Sequence, residues 1–188
     1  MRGMITAMTG FTHRLATASD IPALRTLMAS SIDALQNDVL SPEQVAASRT
    51  IMGLDTQLIE DGCYFVVEDP AASPPAIAGS GGWSRRATLY GGDHSPGRDA
   101  AWLDPRVDAA RVRAMYTAPA YARRGVGRLI LQLCETAAWA AGFRRVELMG
   151  TMSGEPLYRA CGYLPIERIE DPRGGAPVPL VRMGKALG

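Results

Sequence analysis

An excess of either charge is missing from this chain: twenty basic residues face nineteen acidic ones, for a formal charge of +1. Without a basic excess or stripe there is no electrostatic footprint for general nucleic-acid binding. Cysteine and histidine are scarce as well. Cys63, Cys134 and Cys161 are odd in number and widely spaced, and only His13 and His94 can join them, which outlines neither a disulfide framework nor a zinc site. No metal is therefore expected. No hydrophobic run approaches the roughly 20 residues that cross a bilayer, so no membrane partner is expected either. The first ten residues, MRGMITAMTG, carry one arginine but too short an apolar stretch for a signal peptide. They read as a loose leader, 1–10, ahead of a single soluble, cytoplasmic domain over 11–188. What is plentiful is apolar content, 47%, enough to bury a full core in one domain.

The periodicities set out an order of elements. Residues 11–17 alternate as a strand. Ser19 or Asp20 caps a helix over 21–35 with Pro22 in its first turn. Ser41 caps a second helix with Pro42 at its first position and Gly53 at its end, and 55–62 form a short further turn. Residues 63–69, CYFVVED, are a buried strand that makes a hairpin with 76–86, AIAGSGGWSRR, whose glycines point to a bulge or a close backbone approach. Residues 87–105 fit neither period, and so long an irregular segment inside a compact domain is functional or disordered. A strand over 109–119, a long helix ending near Gly142, a strand over 144–150, a short helix over 155–161 and strands over 162–170 and 178–185 complete the chain.

The loop ARRGVGRLIL, 122–131, packs arginines and glycines just before Leu129, Ile130, Leu133, Ala137 and Ala140, which recur at helical spacing. A helix N-terminus presents unpaired N–H groups and a partial positive charge, which glycines let an anion approach and arginines reinforce. The same residues also suit an ordinary capping loop with arginine facing water. The spacing is that of neither a Walker loop nor a full dinucleotide fingerprint.

The stretch YTAPAYARRGVGRLIL, followed at helix-plus-strand distance by LYRACGYLP, resembles the GNAT (GCN5-related N-acetyltransferase) superfamily, and the element order extends the likeness over nearly the whole chain. The resemblance implies an α/β fold of the α+β type, with a mixed, mostly antiparallel central sheet of six to seven strands flanked by helices on both faces. It implies an acetyl-CoA-dependent N-acetyltransferase that moves an acetyl group from the CoA thioester to a primary amine of a small molecule or protein by direct transfer. On this likeness Arg123, Arg124, Gly125, Val126, Gly127 and Arg128 hold the pyrophosphate of acetyl-CoA, although Ala122 stands where the family usually has Arg or Gln. The backbone of Met115, Tyr116 and Thr117 pairs with the pantetheine arm, Thr151 takes the place of a coenzyme-contacting asparagine, and Tyr158 protonates the departing thiolate. The residues alone also allow a plain core strand at 115–117 and a core aromatic at Tyr158. Cys161 is an acyl carrier or, as most lone cysteines are, a small buried hydrophobe. A homodimer is compatible with such a domain.

Acetyl transfer to an amine needs the amine neutral, the developing oxyanion stabilised and the sulfur protonated as it leaves. Several family members carry a glutamate on the strand before the loop, where this chain has Arg111 and Arg113. Glu147, Asp93 and His94 remain as bases, His94 with the most suitable unperturbed pKa, and a water chain is the alternative. Arg111 and Arg113 are salt-bridged structural residues or hold an anionic group of the acceptor. The insertion over 87–105 is expected to choose the acceptor: Asp93, Asp99 and Asp104 would attract a cationic amine, with Tyr90 and Trp102 as apolar walls. A second class of function is a non-catalytic acyl-CoA-binding sensor or interaction module, which has no use for a thiolate acid but also needs no base.

Overall fold

In the computed structural model, which describes residues 10–188, strands β1 (Thr12–Leu15), β2 (Tyr64–Asp69), β3 (Ala76–Ser84), β4 (Ala110–Thr117), β5 (Arg145–Thr151), β6 (Leu164–Asp171) and β7 (Val178–Ala186) form one sheet in the order β1-β2-β3-β4-β5-β7-β6. Every neighbouring pair is antiparallel except β4 with β5, which is parallel. The mixed, mostly antiparallel sheet with helices on both faces is thus the one the resemblance implied. The leader, Gly10 apart, lies outside the described residues.

Helices α1 (Ile21–Leu35), α2 (Pro42–Ile51) and α3 (Thr56–Glu60) cover one face, where Leu24, Ile32, Val45, Ile51 and Leu58 pack on Val66, Tyr116 and Leu180. Helices α4 (Val126–Ala140) and α5 (Glu155–Ala160) cover the other, where Val126, Ile130, Cys134 and Tyr158 pack on Ala78, Val112, Leu148 and Val181. Local chemistry starts these helices. The Ser41 hydroxyl accepts from the Gln44 N–H at 3.3 Å while the Gln44 side chain accepts from the Ser41 N–H at 3.0 Å, a reciprocal capping box. Residues 55–62 hold a true short helix, not only a turn, because the Asp55 carboxylate accepts from the Gln57 N–H at 3.1 Å. Asp20 acts one turn earlier than its sequence position suggests. Its carboxylate accepts from the Thr17 N–H at 2.7 Å and binds Arg14, which holds it well below the usual carboxylate range.

The β3 glycines serve both of the readings open to them. A Cβ on Gly79 would lie 2.5 Å from Val126 Cγ1, and one on Gly81 would lie 2.6 Å from Ile130 Cγ2, so α4 rests on bare backbone. The β3–β4 register also slips between Ser80 and Gly82, which is a bulge.

Tyr64, Tyr116, Tyr158 and Tyr163 are buried, and burial raises all four pKa values, that of Tyr158 to about 12 and the others further. An unfolded tyrosine ionises near pH 10. Above that pH the unfolded chain has shed protons that the native chain keeps, so stability is full below about pH 10 and falls as pH rises. Absorbance titration of these four phenols should therefore coincide with loss of circular dichroism, well above pH 10. Their ionisation in a still-folded protein would contradict the burial.

Candidate active site

The parallel ladder between β4 and β5 has two pairs, Ala110 with Val146 and Arg111 with Glu147, and beyond them the strands separate. The bulge turns β4 away: Ala114 adopts a positive φ of 51°, and its carbonyl accepts from the Tyr64 hydroxyl at 2.7 Å. Past the bulge, Tyr116 and Thr117 still pair with Ser80 and Gly79 of β3, but their side toward β5 is free of ladder bonds. The gap contains a cavity of about 90 Å³, lined by residues from both faces of the sheet. Val112, Met115, Leu148 and Tyr158 line it from the α4 face, and Ile51, Met52, Tyr90, Met149 and Leu180 from the α2 face.

At the α4 end of the gap, Gly125 caps the helix in the left-handed region at φ 87°, and Arg123 also has a positive φ, 61°. The first bond at this helix end runs from the Leu129 N–H to the Gly125 carbonyl at 3.0 Å, so the amides of Val126, Gly127 and Arg128 point out of the helix end. A Cβ on Gly127 would lie 2.6 Å from Leu157 Cδ2; glycine there lets α5 sit against the start of α4. Among the described residues no ion pair involves Arg123 or Arg128. Arg124 instead lies over the rings of Tyr121 and Phe11, 4.8 and 5.4 Å from their centroids. The helix end can hold an anion with three amides and two uncommitted guanidinium groups.

Tyr158 stands where this end meets the gap. Its ring fills the space beside Gly150 and Gly154, where an added Cβ would lie 3.0 and 2.9 Å from it, and its hydroxyl has no hydrogen-bond partner among the described residues. The phenol, pushed up to about 12 by burial, stays protonated at neutral pH and can donate. Thr151 also lines the cavity, with its Oγ1 accepting from the Gly154 N–H at 3.2 Å and 3.1 Å from Ser153 Oγ, and so shapes the turn that presents α5. Cys161 does not line the cavity, and burial raises its thiol, which disfavours the thiolate that acyl capture requires.

The sequence profile described as the Acetyltransferase (GNAT) family matches residues 32–163, most of the chain and all of this gap but its β7 wall. The chain belongs to the GNAT acetyltransferase family. No curated protein matches it in sequence. Among solved structures it is similar to a GCN5-related N-acetyltransferase of Rhodopseudomonas palustris, at 16% identity and a TM-score of 0.68 over 94% of this chain and 95% of that one. It is similar to yncA of Salmonella typhimurium, solved with its cofactor acetyl-CoA, at 15% identity and 0.60 over 95% of each chain. The paia N-acetyltransferase of Thermoplasma acidophilum, in complex with coenzyme A, aligns at 12% identity and 0.60 over 94% of this chain and 98% of that one. At these identities the likeness is one of fold.

The side chains expected to serve this GNAT acetyltransferase as bases are not brought into its cavity. Glu147 does not line it; Arg111 and Arg182 each donate to its carboxylate at 2.7 Å. His94 is exposed, with Nε2 donating to the Thr50 carbonyl at 2.8 Å. Asp93 accepts from the Thr56 N–H at 3.0 Å and from Arg98 at 3.2 Å. Among the lining residues there is no aspartate, glutamate or histidine. Arg113 does line the cavity, but it is bound to the fully buried Asp55 and donates to the Gly91 carbonyl at 2.7 Å. Both strand arginines are therefore in structural ion pairs.

The insertion is ordered by long-range bonds that periodicity does not register. Arg86 bridges Trp102, the Thr88 N–H donates to the Asp99 carbonyl at 2.9 Å, and the Asp93 N–H reaches the Leu54 carbonyl at 2.9 Å. Its tip, Leu89 to Gly91, forms part of the cavity wall, and the Tyr90 hydroxyl donates to Asp171 at 3.0 Å. The remaining expectations for this segment need correcting. Asp99 accepts from the Ala101 N–H and Asp104 pairs with Arg106 at 2.7 Å, while Trp102 is 60% exposed beneath Arg86 and does not line the cavity. The wall residues Ile51, Met52, Gly53, Leu89 and Leu180 carry no mark in the sequence that separates them from other apolar positions.

Transmembrane character is not indicated by the helices: among the described residues none is long and apolar enough to cross a membrane.

Proposed function

We propose that this GNAT acetyltransferase moves an acetyl group from acetyl-CoA to a primary amine of a small molecule or protein by direct transfer. The observation that carries the reading is the unpartnered phenol of Tyr158 in a cavity lined from both faces of the sheet, the one covered by α4 and the one covered by α2. The coenzyme complexes of yncA and the paia enzyme support the choice of ligand. When bound, acetyl-CoA supplies an activated thioester. The amides of Val126, Gly127 and Arg128, with Arg123 and Arg128, hold its diphosphate, and the free side of β4 at Met115, Tyr116 and Thr117 offers backbone groups to the amide-bearing arm. Tyr158 gives its proton to the sulfur as the carbon–sulfur bond breaks. The amine approaches from the α2 face and forms the new carbon–nitrogen bond. A sensor would have no need of a buried proton donor beside the thioester.

Gly125→Asp tests the anion site. It sets a negative charge against three outward amides, and calorimetry should show at least a tenfold weaker coenzyme A affinity, with the melting temperature measured alongside to exclude unfolding. Unchanged affinity in the folded variant removes the proposed diphosphate site.

The absence of an acid or imidazole among the lining residues sets the pH dependence. An ammonium does not attack, so kcat/KM should rise about tenfold per pH unit up to the acceptor's own pKa, and the inflection should move when the amine is changed. Tyr158, pushed up to about 12, keeps its proton over this range and adds no alkaline loss. An inflection fixed near pH 6.5 for every amine would return the base to a histidine.

A further inference from the structure

The α2-side wall of the cavity is built from Ile51, Met52, Leu89, Tyr90, Met149 and Leu180, and the charges around it are already matched. Arg113 is held by Asp55, Glu147 by Arg111 and Arg182, Asp171 by Arg173, and Asp93 by Arg98. Four backbone carbonyls on this side are engaged as well. Those of Thr50, Ile51, Gly53 and Gly91 accept from His94, Ser95, Tyr116 and Arg113. A second charge on the acceptor would be buried against this wall without a partner, which is strongly unfavourable.

We infer that the acceptor is a primary monoamine with an apolar, otherwise uncharged body, selected by the wall of Met52, Leu89, Tyr90, Met149 and Leu180. This rests on the acetyl-transfer reading above. The wall does more than exclude: burial in apolar surroundings lowers an amine's pKa, so the group that fits is also delivered as the free base that the reaction consumes. The amine nitrogen gains the acetyl carbon and loses a proton to water, and the sulfur leaves with the proton of Tyr158. The insertion thus contributes to acceptor choice through Leu89 and Tyr90, by apolar contact and not by its aspartates.

The test is free-thiol release by the whole protein with acetyl-CoA and four amines: hexylamine, 2-phenylethylamine, spermidine and lysine. The two apolar monoamines should have kcat/KM at least tenfold above the other two. Met52→Glu, which puts an unmatched carboxylate into a half-buried part of the wall, should reverse the order toward spermidine while coenzyme A still binds. Preference of the wild type for spermidine or lysine would overturn the inference and leave acetyl transfer standing. Coenzyme A binding with no thiol release from any amine would overturn both. An unaltered order in a folded Met52→Glu protein would remove the wall from acceptor selection.

Discussion

Tyr158→Phe should lower kcat by about 10²- to 10⁴-fold, the span that loss of a general acid commonly produces, and leave coenzyme A affinity unchanged. The substitution is clean in this setting. The ring keeps its contacts with Gly150 and Gly154 and its edge-on packing against Tyr163, centroids 6.1 Å apart. Because the hydroxyl has no protein partner among the described residues, removing it orphans no buried group, so stability should hold. Thiol release followed against calorimetric binding separates the chemical step from the binding step. Equal turnover in the two proteins would return Tyr158 to the core.

The second large effect concerns stability. Asp55 is fully buried and binds Arg113, whose side chain is 3% exposed, and Arg98 at 2.6 Å. It also caps α3 through the Gln57 N–H. Asp55→Ala would leave the Arg113 guanidinium buried beside the cavity with only the Gly91 carbonyl, and stranding one partner of a buried pair costs about 3–5 kcal/mol. Denaturant unfolding should show a loss of that size. In protein that remains folded, the freed insertion tip should raise KM for the acceptor more than for acetyl-CoA. A loss below about 1 kcal/mol, the range of exposed pairs, would mean that water already screens this cluster.

The regular elements were readable because their causes are local. The cap at Ser41, the continuous apolar run of β2 and the helical spacing after Gly127 each act within a few residues, and the structure carries them where the pattern put them. The helix-start loop was readable for the same reason: its glycines and arginines are adjacent in sequence. The acceptor side was not. Asp55 and Arg98 lie 43 positions apart and Tyr90 and Asp171 lie 81 apart, and no spacing rule pairs such residues. Read alone, the insertion's aspartates look like free charges facing a ligand; folded, Asp93, Asp99 and Asp104 are engaged with their own chain. Arg111 and Arg113 show the same limit, since their partners, Glu147 and Asp55, arrive from other elements. Trp102 was misjudged because an aromatic in a loop suggests a wall, whereas it lies exposed at the surface with Arg85 and Arg86 over its ring.

Two residue pairs are all that ladder β4 to β5, so mechanically the sheet is two plates, β1–β4 and β5–β7, with α4 packed mainly on the first of them. Load applied across the strands should part the molecule there, between Thr117 and Thr151, before either plate yields. A ligand lodged in the seam would act as a rivet. Pulled from attachment points on opposite plates, the protein should rupture at higher force with coenzyme A present, whereas two points on one plate should register no difference.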